Sequence, residues 1–225
     1  MSFQRARSDE QREIRRRTIL DTAAAMLGEM PVAEVSLNEL SRRVGLAKSA
    51  LSRYFETREA VLLELLDHFL HDWAQALPHE LSSCIDARAP VEQRAGQLAE
   101  VLSRSLAERR ALCELFGAQA AVLEKNVTLE VARRHKRNSL ESLAVMAELV
   151  LDHLPELGDR SQEFCLHAMI LAGALTAYCP PPAVILAVYE ADPDLAVLQS
   201  ELGPALRRGL ESALLGGLPR SPLSR

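Results

Sequence analysis

Two short helical patterns separated by one glycine, within Ser36–Arg58 (SLNELSRRVGLAKSALSRYFETR), restrict this chain more than any other feature. Leu37, Leu40 and Val44 fall on one face of a short helix. Ser36 is its expected N-cap, accepting from the N–H of Asn38 or Glu39, and Glu39 stands where a capping box needs it. Gly45 tolerates the left-handed conformation that stops such a helix and turns the chain sharply. A second helix is predicted over 47–54, with Leu51 and Phe55 inward and Lys48, Ser49, Ser52 and Arg53 outward. Small and polar residues where a helix meets base edges, with basic ones at its margins, are what entry into a DNA major groove requires. Thr57 should cap the next helix, placing Arg58 at an N-terminus that favours a phosphate.

With 48% hydrophobic and 25% charged residues over 225 positions, the chain can build a sizeable core. The net charge of −5 argues against nonspecific DNA binding by the whole surface. Its distribution matters more. Residues 1–60 hold eleven of the 26 basic and nine of the 31 acidic side chains, leaving 15 basic against 22 acidic for the rest. The excess of positive charge therefore coincides with the predicted DNA reader.

From Ile14 to Leu66 the sequence resembles the N-terminal domain of the TetR family of bacterial transcriptional regulators. The resemblance rests on ILDTAAAML, SLNELSRRVGLAKSALSRYF and TREAVLLELL in that order, about a quarter of the chain. Pro31 replaces the usual Gly between the first two helices, Ser52 stands where a Tyr often contacts phosphate, and Arg58 occupies the usual Lys position. Combined with the helical pattern, the resemblance implies DNA contacts by Ser36, Asn38, Ala47, Lys48, Ser49, Ser52, Arg53, Tyr54 and Arg58. It further implies an all-α fold, a homodimer on a near-palindromic double-stranded DNA operator, and repression relieved by a small-molecule effector. Expected ligand contacts are Phe69, Trp73, Phe116, Gln119, Met146 and His167, the bulky or polar residues within apolar helical stretches. Ordinary core packing is the alternative for each.

Before the reader, a basic arm with Arg5 and Arg7 precedes an expected helix start at Ser8, and Ile14, Ile19, Leu20, Ala23, Ala24 and Leu27 form the supporting stripe. After it, a helix over 58–77 should end at Pro78, with a connection to residue 90. Helices are predicted over 91–108, 110–124, 127–154 and 195–216. His68 and His71, and the basic run Arg133–Arg137, read as solvated helix faces, so no metal is expected. The uncharged stretch Phe164–Tyr189 is divided by three prolines at 180–182 and reads as buried helix rather than a membrane span, its small residues suiting a subunit interface. Leu198, Leu202, Leu206, Leu210 and Leu214 fit either a partner or an intrachain core.

The four cysteines lack metal-site spacing and suit a reducing cytoplasm, with a redox-sensing thiol as the alternative. No phosphate loop, G-x-S-x-G or H-E-x-x-H occurs, so neither an enzyme nor a cofactor is expected. The expected division is an arm and helix-turn-helix domain at 1–57, a helical regulatory, ligand-binding and dimerisation domain at 58–218, and a disordered tail at 219–225. A ligand-independent DNA-binding dimer and an enzyme retaining a helix-turn-helix are the competing readings.

Overall fold

Ser36 starts α2 (Leu37–Val44) by accepting the Glu39 N–H on its hydroxyl at 3.2 Å, and Gly45, at φ 71°, ends it in the left-handed conformation. The reciprocal half of the capping box is not made. Glu39 instead accepts from Arg42 at 2.6 Å and Arg43 at 2.8 Å. Two guanidinium groups outcompete one backbone amide, and the bonds from Arg42 and then Arg43 hold the Glu39 carboxyl down at about 2.

The computed structural model describes residues 2–219, with side chains from residue 10 onward, and among these residues every regular element is helical. Arg5, Arg7 and the Ser8 cap are thus beyond the described side chains, as is the tail after residue 219. The first helix, α1 (Ser2–Glu29), begins six residues before the expected Ser8, because no Gly or Pro interrupts that stretch. Its Ile19, Ala23 and Met26 are fully buried, whereas Ile14, assigned to the same stripe, is exposed. α3 (Lys48–Leu51) is shorter than expected. Its end tightens into three-residue bonds, Arg53 N–H to Ala50 and Tyr54 N–H to Leu51, while the Ser52 hydroxyl donates back to Lys48.

Leu40, Leu51 and Phe55 join α1 to α4 (Arg58–Ser82), whose N-cap Thr57 accepts from the Ala60 N–H at 3.1 Å. Arg16 bolts this unit together. Its guanidinium lies 4.2 Å from the Phe55 ring centroid, donates to the Tyr54 carbonyl at 2.8 Å and pairs with Glu64 on α4. Contrary to expectation, α4 passes through Pro78. An interior proline costs about 3 kcal/mol. Burial of Leu77 and Leu81, at ~1.5–3 kcal/mol each, together with the Glu80–Arg109 pair at 2.6 Å, offsets it.

The remaining helices are α5 (Val91–Glu108), α6 (Arg110–Gln119), α7 (Leu129–His153), α8 (Ser161–Tyr178), α9 (Ala183–Ala191) and α10 (Leu202–Gly217). α5 matches its expected span; α6 gives way to a 3-10 turn at Leu123–Lys125. The last helix starts seven residues later than expected because Pro204 fits only in a first turn, where its missing N–H would be unpaired in any case. Leu206, Leu210 and Leu214 are completely buried as α10 lies along α5 and α8, so these three of the leucine stripe are intrachain core, whereas Leu202 is half-buried and Leu198 is exposed ahead of the helix. Gly173 of α8 serves a close crossing with α6 within the chain. Phe164–Tyr189 is divided between α8, buried along one side as expected, and α9, which contrary to expectation has no buried residue. Among the described residues no single helix is long and apolar enough to cross a membrane.

Candidate nucleic-acid interface and regulatory cavities

The inward residues of α2 and α3 determine which side chains remain outside. Leu40 and Leu51 are buried, and the Ser41 hydroxyl closes the turn by donating to the Leu46 carbonyl at 2.5 Å. Ser36, Asn38, Ala47, Lys48, Ser49, Ser52 and Arg53 are all exposed, and Tyr54 is half-buried. These are the residue types that a groove-reading surface needs, held on a turn with little freedom. The structure adds two that the motif did not supply. Arg12 and Arg15 of α1 share a groove of about 830 Å³ with Arg53 and Tyr54, and Arg12 donates to the Arg53 carbonyl at 3.3 Å. Their signal in the sequence is the arginines at 12 and 15–17 within the first helix, which helical periodicity alone does not orient toward the reader.

Arg58 is a correction. Rather than projecting from α4 toward a phosphate, its guanidinium donates to the Val35 and Val32 carbonyls and lies 3.3 Å from Glu59. Pro31 and the 3-10 turn Val32–Glu34 leave those carbonyls needing donors, and Arg58 is the nearest cation that can supply two.

The six expected ligand contacts separate into groups. Phe69 and Trp73 line a cleft of about 760 Å³ between the end of α1, α4 and the start of α6. Phe116 and Gln119 line a smaller cavity of about 230 Å³ among α4, α6, α7 and α8, and a surface groove outside α6 and α8. Met146 is buried in the core, and His167 faces solvent on the side of α8 away from the core, so neither expectation holds. An uncharged run around a histidine does not reveal which side of its helix is inside.

One buried group escaped the sequence reading. His135, expected on a solvated basic face, is 2% exposed while its neighbours Arg133, Arg134, Lys136 and Arg137 are exposed. Its Nδ1 donates to Asp67 Oδ1 on α4 at 2.6 Å, and Asn138 donates to Asp67 Oδ2 at 2.7 Å. Gln119 donates from Nε2 to both Glu124 (2.7 Å) and His135 Nε2 (3.0 Å). His68 and His71 are exposed, and among the described residues no three or more His, Cys, Asp or Glu side chains are grouped as a metal site. Burial pushes the Cys113 thiol up to about 11 and Cys165 to about 12, consistent with apolar packing, whereas hydrogen bonds from Ser83 and then Arg104 lower exposed Cys84.

Residues 67–221 match the family model described as Tetracyclin repressor-like, C-terminal domain, and residues 19–65 match that for Bacterial regulatory proteins, tetR family. HTH-type transcriptional regulator EthR of Mycobacterium tuberculosis (strain ATCC 25618 / H37Rv) is 36% identical over 70 residues, so the match spans 31% of each protein. A tetR-family regulatory protein from Rhodococcus RHA1 aligns over 92% of this chain and 98% of its own, with a TM-score of 0.55 at 12% identity. Fatty acid degradation regulator FadR from Bacillus halodurans aligns over 90% and 98%, with a TM-score of 0.50 at 14% identity. Identities this low make both structures evidence for the fold alone. The family and its sequence relative are transcriptional regulators and not enzymes. With two family models together spanning most of its length, the chain belongs to the TetR family of bacterial transcriptional regulators and binds DNA through its N-terminal helix-turn-helix.

Proposed function

We propose that the chain acts as a homodimeric repressor on a near-palindromic operator and leaves it when a small molecule binds against α4 and α6. Residues 1–57 then form the reader and 58–218 the regulatory unit. The observation that carries this reading is α4. One helix is bolted to the reader through Glu64 and Arg58, and farther along it supplies Phe69 and Trp73 to a cleft large enough for a drug-sized ligand. A ligand preferring one tilt of α4 would bias the separation of two readers.

Titration against the DNA upstream of the coding region, with excess nonspecific competitor, tests it. Lys48→Ala or Arg53→Ala should weaken binding and reduce the salt slope by about one. Arg58→Ala should leave the slope unchanged and lower Tm by about 2–8 °C, the loss of two buried carbonyl contacts. A reduced slope for Arg58→Ala would return it to the phosphate interface; competitor-sensitive binding by the unaltered protein on every fragment would reject a specific operator.

Pairing of two copies is supported by apolar surface that this chain does not cover. α9 has no buried residue, and Val184, Val188, Leu166 and Ile170 are exposed on α9 and the outer side of α8. Ile170→Glu with Val184→Glu should give monomers in sedimentation with Tm little changed, and at least a tenfold loss on a palindromic operator, about 1.4 kcal/mol. Persistent dimers would move the interface elsewhere.

A further inference from the structure

The cleft between the end of α1, α4 and the start of α6 differs in chemistry from the other cavities. Leu27, Met30, Phe69, Trp73 and Leu112 supply apolar walls, and its volume of about 760 Å³ suits a drug-sized molecule, unlike the 230 Å³ cavity beside Phe116. Trp73 is 1% exposed and its indole N–H is donated to the Ser105 hydroxyl at 2.9 Å, so it backs the cleft from within the core and offers it no polar group. Four carboxylates, Glu29, Asp72, Glu108 and Glu114, stand against Arg109 and Arg110. Both arginines are engaged: Arg109 with Ser105 and Glu80, Arg110 with Glu114 at 2.9 Å. Glu29 pairs with Arg43 at 2.7 Å, while Asp72 and Glu108 have no ion pair among the described residues.

From this we infer that the cleft binds an apolar organic cation, its hydrocarbon or aromatic body against Phe69 and Met30 and its charge toward Asp72 and Glu108. The start of α6 has no side-chain cap and would alone favour an anion, but a helix N-terminus carries only about half a positive charge. Two unpaired carboxylates outweigh it, and the half-buried Phe69 ring adds to the preference for a cation. The inference rests on the ligand-controlled reading above and gives it a mechanism. Glu114, at the cleft, accepts the Val32 N–H at 3.2 Å and so joins α6 to the turn that follows α1. A body inserted between Met30 and Leu112 acts directly on that joint.

Tetraphenylphosphonium and tetraphenylborate, nearly equal in shape and opposite in charge, separate the alternatives. Trp73 is the sole tryptophan, so its fluorescence in the full-length protein reports the cleft itself. The phosphonium should change that fluorescence saturably and raise Tm. Asp72→Asn with Glu108→Gln, both at exposed positions, should weaken it about tenfold without lowering the unliganded Tm. Equal or tighter binding of the borate, no saturable change, or unchanged affinity in the double variant would overturn the inference. Saturable, variant-sensitive binding that leaves operator affinity unaltered would uphold the site and reject the ligand-controlled reading. Release of the operator by a different molecule, with no phosphonium binding, would reject the site and retain that reading.

Discussion

Gly173→Ala should destabilise the protein by about 3 kcal/mol, the upper part of the usual range for overpacking, although it adds one methyl group. A Cβ at residue 173 would lie 2.5 Å from the Gly117 nitrogen and 2.8 Å from the Phe116 carbonyl carbon, all backbone of α6. In the other direction, a Cβ on Gly117 would meet the Gly173 carbonyl oxygen at 2.8 Å. Backbone cannot rotate aside as a side chain can, so the helices must separate. The effect should reach the DNA reader, because α6 carries Glu114, which holds the Val32 N–H, and Gln119, which meets His135. Thermal melting should show a fall of about 6–12 °C, with operator affinity altered in the folded fraction. Gly216→Ala, where no atom lies within 4 Å of the added group, should be neutral or slightly stabilising and serves as the control. A Gly173→Ala protein that melts with the unaltered one would show that α6 and α8 cross less closely.

The reader was legible in the sequence because local rules determine it: an Ser36 cap, a left-handed Gly45 and Leu40, Leu51 and Phe55 at helical spacing act within a few residues of one another. What periodicity could not provide was the partner of each face. Leu206 and Leu210 have the same spacing whether they meet α5 or a second subunit, and only the packed chain decides for α5. Arg58 was misassigned for a related reason. Its charge favours a phosphate in isolation, yet the Val32 and Val35 carbonyls left unpaired by the Pro31 turn claim it first. Pro78 and Pro204 show the same limit in opposite directions: tertiary burial carries α4 through one, while the other delays α10. The candidate cleft was half visible, since Phe69 and Trp73 belong to it, but its acidic character depends on residues from α1, α4, α5 and α6 that meet only in space.

Asp67→Ala should cost about 3 kcal/mol, since removing one member leaves buried polar groups unpaired. Asp67 accepts from both His135 Nδ1 and Asn138, and His135 is almost completely enclosed. A carboxylate only accepts, so Nδ1 must carry the hydrogen and Nε2 is left to accept from Gln119. Turning the Gln119 amide over would bring its oxygen against Glu124 at 2.7 Å, which fixes the direction of every bond in the chain from α4 through α7 to α6. Once Asp67 is lost, no other described side chain bonds to Nδ1 of His135. His135→Ala should cost a similar amount, but the double variant should cost less than the two together, by at least about 1 kcal/mol, because the second change removes a group the first left unpaired. Strict additivity would mean that the two residues act separately. The network also joins α4 to α7 on the side of the regulatory unit away from the Trp73 cleft. Operator affinity in these variants should therefore become less responsive to tetraphenylphosphonium, since an α4 released from α7 can accommodate the ligand without moving the reader.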